Sequence, residues 1–120
     1  MTEHWQAGAM TRNLPWLTEL VPDMFCEISI TLAAKKNIKT GDMVKIRSKR
    51  GEIKARALVT DRIQTWKHGG RDIEMVGMIW HFGHGCAESG DACNNLTPHI
   101  GDANTMIPEY KAFLVDIVKA

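Results

Sequence analysis

The stretch from Met43 to Thr60 constrains the fold of this chain more than any other. Val44 and Ile46 alternate with Lys45 and Arg47, and Ile53, Ala55 and Ala57 alternate with Glu52, Lys54 and Arg56. A period of two sends one set of side chains to a core and the other to water. Two arms, Met43–Ser48 and Glu52–Thr60, joined through Lys49-Arg50-Gly51, therefore predict a half-buried antiparallel hairpin. Phe25-Cys26-Glu27-Ile28 reads as a short strand ahead of it. Ser29 or Thr31 can cap a helix running through Lys36, with Ile30, Leu32, Ala33 and Ala34 on its apolar side. Lys35 and Lys36 fall at its C-terminus, where the helix dipole favours cations. A further strand pair flanks His68-Gly69-Gly70-Arg71, with Ile73–Trp80 as its apolar second arm. The chain closes on Tyr110–Val118, a strand placing Lys111, Phe113, Val115 and Ile117 on one face. The outline is mainly β.

Two segments escape this periodicity. Residues 1–22 hold Trp5, Leu14, Trp16, Leu17 and Leu20, punctuated by Pro15 and Pro22, and fit neither a helical nor an alternating pattern. Such side chains must lie on the chain's own core or on a neighbouring domain. Residues 83–108 carry Gly83, Gly85, Gly90 and Gly101, Pro98 and Pro108, and the pair Asn94-Asn95, with no sustained apolar period. A structureless stretch that long inside a compact domain marks function or disorder.

At 120 residues the chain is one domain, long enough to bury roughly two-thirds of its unfolded surface. Lys and Arg number 15 against 14 Asp and Glu, so no global field recruits nucleic acid or an anionic membrane. No apolar run approaches the ~20 residues of a membrane span. The basic faces of the hairpin (Lys45, Arg47, Lys54, Arg56, with Lys49 and Arg50 at the tip) could enter a DNA groove. The balanced charge favours the plainer reading, a solvated face blunted with charge against edge pairing. His81-x2-His84-x-Cys86 with Cys93 offers zinc-type ligands, but the spacing matches no closed zinc module, and a glycine-rich loop with hydrogen-bonding histidines explains it better. Nothing in the sequence orders a Cys–His nucleophilic pair. Cys26, Cys86 and Cys93 are too few for a disulfide scaffold.

Between the β-rich segments stand Asn94-Asn95-Leu96-Thr97-Pro98, Asp102 and Asn104-Thr105. Amides and carboxylates read the edges of a heterocycle, while hydroxyls and backbone N–H groups hold phosphate. The same residues also build Asx and Ser/Thr turns that stabilise a long loop. The residues alone support both readings equally.

Five blocks in order carry a resemblance. They are Thr2-Glu3-His4-Trp5 followed by Met10-Thr11-Arg12-Asn13-Leu14-Pro15-Trp16-Leu17; Lys49-Arg50-Gly51-Glu52; Val76-Gly77-x-x-Trp80-His81-x-Gly83; Asn95-Leu96-Thr97-Pro98; and Gly101-Asp102-x-Asn104-Thr105 with Pro108-Glu109-Tyr110-Lys111-Ala112-Phe113. Together they resemble the C-terminal molybdopterin-dinucleotide-binding domain of the dimethyl-sulfoxide-reductase superfamily, and within it the formate dehydrogenase alpha subunits. The resemblance implies a six-stranded double-psi β-barrel with one or two short helices and long cofactor-binding loops. It implies that residues 1–120 form a single cap domain of a larger catalytic subunit that oxidises formate to carbon dioxide. The implied cofactor is molybdopterin guanine dinucleotide, its molybdenum or tungsten held by the full subunit. The implied partners are the remaining catalytic domains or subunit, with no nucleic acid and no membrane contact by this domain. Carried over by position, the cofactor-binding residues are His4, Trp5, Thr11, Asn13, Trp80, His81, Asn94, Asn95, Asp102, Tyr110 and Lys111. Tryptophan faces suit flat rings, asparagine amides suit heterocycle edges, and Lys111 suits a pyrophosphate. The family's metal-ligating selenocysteine or cysteine, catalytic histidine, arginine and iron–sulfur cysteines have no counterpart here, so the expected chain holds neither a catalytic residue nor a metal ligand. A stand-alone double-psi-barrel interaction or DNA-binding regulatory module is the competing class. It would suit the basic hairpin but not the Asn-Leu-Thr-Pro and Pro-Glu-Tyr-Lys blocks.

Overall fold

A computed structural model describes residues 10–80, 82–83 and 90–120. The expected hairpin is its centre: β2 (Met43–Arg47) and β3 (Glu52–Val59) pair antiparallel with Val44 opposite Ala55 and Ile46 opposite Ile53. Val44, Ile46, Ile53, Ala55 and Ala57 are all buried, as the period of two requires. β1 (Phe25–Ile28) lies parallel to β3, β6 (Val76–Met78) antiparallel to β1, and β7 (Asp116–Lys119) antiparallel to β2. The resulting five-stranded sheet, in the order β6-β1-β3-β2-β7, curls as a half-barrel about one core. Ile28, Ile46, Ile53, Ile79 and Leu96 are its largest fully buried side chains. Each such side chain contributes about 1.5–3 kcal/mol of burial.

Helix α2 (Ile30–Lys36) takes its N-cap from Ser29, whose Oγ accepts the Leu32 N–H at 3.0 Å. Its C-cap, Asn37, sits in the left-handed region at φ 53, and Lys36 reaches Asp116 of β7 at 2.8 Å. Both ends of the helix are therefore fixed to the sheet. A second helix, α1 (Pro15–Leu20), forms where the sequence shows no period. Pro15 opens it with a preset φ, and Thr18 is buried, its Oγ donating to the Pro15 carbonyl at 2.8 Å. Six residues are too few turns for a periodicity to show.

Three expectations are corrected. The arm Ile73–Trp80 is not one strand: β4 (Trp66–His68) pairs with β5 (Arg71–Ile73) in a separate two-stranded sheet, while β6 joins the main sheet. The break falls at Glu74, whose carboxylate accepts from Lys35 Nζ at 2.6 Å, Thr65 Oγ at 2.9 Å and Ser29 Oγ at 3.1 Å. The Lys35 bond does most to hold that carboxyl below the usual range. These donors, from α2, its N-cap and the residue before β4, hold Glu74 where the chain passes from one sheet to the other. Beyond the break, Gly77 lets the 61–63 loop cross close: a Cβ there would meet Ile63 Cδ1 at 2.7 Å. Arg62 in that loop pairs with the buried Glu27. The closing strand is also shorter than expected. It begins at Asp116, so Lys111, Phe113 and Val115 precede it, and only Ile117 of that set is fully buried on the strand. Finally, within that second aperiodic stretch, residues 90–108 are pinned without any period, because Cys93 and Leu96 on a 3-10 turn (Cys93–Asn95 with Leu96 as its cap) enter the core.

Candidate functional site

The tip of the central hairpin and the asparagine turn are built against each other. Ser48 N–H closes the β2–β3 turn onto the Gly51 carbonyl at 2.9 Å. Ser48 Oγ accepts the Arg50 N–H at 3.0 Å and donates to the Leu96 carbonyl at 2.8 Å. One hydroxyl thus fixes the tip and ties it to the turn. Gly51 makes the approach possible, since a Cβ on it would lie 2.9 Å from the Asn95 carbonyl oxygen. Leu96, fully buried, anchors the turn from below, and Thr97 Oγ donates to the Asn94 carbonyl at 3.0 Å. This leaves Asn94 and Asn95 exposed beside Lys49 and Arg50. Neither amide has a hydrogen-bond partner among the described residues, and neither cation has a carboxylate partner there.

Three other cations of the ribbon differ, while Lys54 has no ion pair among the described residues. Arg47 pairs with Glu52, Lys45 lies 3.6 Å from the same carboxylate, and Arg56 meets Asp23 at 2.5 Å. The face expected to be solvated is exposed, and its charge is largely neutralised in place.

Downstream, residues 100–109 form a narrow excursion closed by the Gly101–Pro108 bridge and by Glu109 N–H to the Ile100 carbonyl at 2.9 Å. Asp102 is its turn-maker. One carboxylate oxygen accepts from Thr105 N–H at 2.8 Å and from Asn104 N–H and Thr105 Oγ at 2.9 Å each. The Thr105 backbone bond, followed by its hydroxyl and the Asn104 N–H, holds this carboxyl below the usual range. Of the two readings open for this loop, the Asx turn describes what Asp102 does here. Tyr110 and Lys111 follow at the mouth of the excursion, both exposed, and Lys111 has no ion-pair partner among the described residues.

The remaining expected site residues fall elsewhere. Thr11 is buried and Asn13 exposed on a 3-10 turn, Thr11–Asn13, that packs against α1. Trp80 is 53% exposed just beyond β6. His4, Trp5 and His81 lie outside the described residues, as do His84 and Cys86 of the zinc-type cluster. Among the described residues no group of three His, Cys, Asp or Glu side chains could hold a metal ion. Cys26 and Cys93 are free and buried; burial pushes the Cys26 thiol up to about 12 and raises that of Cys93, so neither is a poised thiolate. No helix among the described residues is long and apolar enough to cross a membrane.

Sequence reasoning named Asn94 and Asn95 as candidates but not Ser48 and Gly51, which the structure sets against their turn. The available signal was the glycine directly after a basic pair at a hairpin tip, where a close approach by another backbone is one of the few reasons to forgo a side chain.

Comparison with known proteins bears on this arrangement. The family model described as "Molydopterin dinucleotide binding domain" matches residues 1–114. The chain is similar to formate dehydrogenase subunit alpha of Megalodesulfovibrio gigas, 51% identical over 100% of this chain and 12% of that protein. It is 46% identical to the formate dehydrogenase-O major subunit of Escherichia coli, over 99% of this chain and again 12% of the relative. A nitrate reductase of Symbiobacterium thermophilum is 31% identical over 98% of this chain and 14% of its own length. The chain therefore spans about an eighth of the curated relatives it matches.

Proposed function

Because the chain belongs to the molybdopterin-dinucleotide-binding domain family, we propose that it grips a molybdopterin guanine dinucleotide as the C-terminal cap of a formate dehydrogenase alpha-type subunit. The observation that carries this reading is the Asn94–Asn95 pair. Its amides are exposed and unengaged among the described residues, on a turn held rigidly against a cationic hairpin tip. Amides left open at a fixed spacing pair with donor and acceptor edges of a heterocycle such as guanine. Lys111 supplies a point charge for a phosphate, and the exposed rings of Trp80 and Tyr110 offer faces to a flat ring system. Thr11, Asn13 and Asp102, with His4, Trp5 and His81, complete the proposed contact set. Asp102 serves by shaping the 102–105 turn rather than by offering its bonded oxygen. The donor set present thus fits the polar, dianionic end of such a cofactor.

When bound in the whole subunit, the cofactor holds the molybdenum or tungsten at which formate is oxidised to carbon dioxide. This chain's residues bind and cover it and move no proton or electron. The proposed partners are the other domains of that subunit, consistent with a chain spanning 12% of its formate dehydrogenase relatives. The family premise also supports closure of the curled sheet into a six-stranded double-psi barrel over residues 1–120; the parallel β1–β3 pairing with an intervening helix and strand suits that topology. The neutralised cations of the hairpin face speak for this reading over a DNA-binding module.

The purified 120-residue chain is expected to show no formate-dependent dye reduction, with or without added molybdate, while the subunit that contains it is active and releases guanine nucleotide on acid hydrolysis. Turnover by the chain alone, or a purified active subunit free of guanine nucleotide, overturns the proposal.

A further inference from the structure

Resting on the cofactor reading above, we infer that Arg50, with Lys49 beside it, forms a phosphate-binding subsite for the dinucleotide at the tip of the central hairpin. The tip is built as a positioned element, unlike a free turn. Ser48 Oγ holds the Arg50 N–H at 3.0 Å and spends its own proton on the Leu96 carbonyl at 2.8 Å. This single hydroxyl sets the backbone of Arg50 relative to the asparagine turn. Gly51 has no side chain to keep the two apart, leaving the Asn95 carbonyl oxygen 2.9 Å from where a Cβ would stand. Arg50 is therefore one residue from the point of closest approach to Asn95.

Charge separates this tip from most of the ribbon, Lys54 being the one other ribbon cation with no carboxylate partner among the described residues. Lys45, Arg47 and Arg56 have carboxylates to answer them, so an anionic ligand would have to displace Glu52 or Asp23 to use them. Lys49 and Arg50 have none among the described residues, and both are exposed. A guanidinium presents two parallel N–H donors that match a phosphate, and the neighbouring ammonium adds charge without needing geometry. Open amides on one side and uncompensated cations on the other match a nucleotide: heterocycle edge to Asn94 and Asn95, phosphate to Arg50 and Lys49. The tip then shares the diphosphate with Lys111, and Ser48 and Gly51 act as positioning residues.

The test uses the full-length subunit and reads guanine nucleotide retained per subunit after dialysis at stepped salt, with folding followed by circular dichroism. R71A, which removes the same charge at the tip of the other hairpin, is the control. R50A is expected to retain about tenfold less nucleotide than wild type at moderate salt, R50K to fall between, and R71A to match wild type. R50Q, which keeps the side chain's length and polarity, is expected to lose as much as R50A and answers for any misfolding of the shorter variant. Retention by R50A and R50Q equal to that of R71A overturns this subsite and leaves the cofactor reading standing. A wild-type subunit that releases no guanine nucleotide overturns both.

Discussion

Leu96→Ala is expected to lower the stability of the domain by about 2–5 kcal/mol, the range for truncating a fully buried leucine in a core that cannot collapse around the gap. Leu96 is 0% exposed and sits in the same cluster as Val44, Ile46, Ile53 and Ile117. Its neighbours belong to strands on a hydrogen-bonded ladder, which resists moving inward. For a domain near this size the loss should appear as a fall in Tm of roughly 10 °C or more. Ile100→Ala, four residues on, is the matched control: Ile100 is 59% exposed and its truncation should change stability by under about 0.5 kcal/mol. Thermal melts of the two variants against wild type decide the point. Equal melting temperatures for Leu96→Ala and Ile100→Ala would mean that the asparagine turn is not anchored through the core.

Lys111→Ala is expected to weaken cofactor retention in the assembled subunit more than Lys54→Ala, by roughly tenfold to a hundredfold in affinity if a charge-assisted phosphate bond is lost. Each variant removes one positive charge, so net charge cannot produce a difference. Lys54 stands on an exposed face of β3, its backbone N–H held by Asp91 at 2.8 Å and its ammonium screened by solvent. Lys111 follows the 100–109 excursion with no carboxylate partner among the described residues. Dinucleotide content per subunit after matched dialysis is the measurement. Equal losses, or a larger loss from Lys54→Ala, would remove Lys111 from the phosphate and return attention to the hairpin face.

What was legible in the sequence follows from what makes each element form. The β2–β3 hairpin, β1 and α2 read correctly because a period of two, a short apolar run and a capping serine are local signals. Helix α1 did not, because six residues hold too little of a helical period and its Trp16 and Leu20 face outward at 84% and 68% exposure. Glu74 could not be seen to break the Ile73–Trp80 arm, since its three donors come from positions 29, 35 and 65. The shortened closing strand has the same cause. Alternation over Lys111, Phe113 and Val115 is present, but only from Asp116 does β2 offer a ladder to join. At the site, Asn94, Asn95, Tyr110 and Lys111 were named through a resemblance, whereas the clasp of Ser48 and Gly51 onto Leu96 and Asn95 spans more than 40 residues and leaves almost no local trace.

The central claim is that the asparagine turn and the segment at Lys111 lie on a bound dinucleotide. Amide hydrogen exchange on the full-length subunit, compared with and without its cofactor, tests this most directly. Slower exchange with cofactor is expected at residues 93–97, 49–51 and 110–111, and no change in the exposed β4–β5 hairpin, 66–73. Identical exchange at 93–97 and 110–111 in the two states, or protection confined to 66–73, would contradict it.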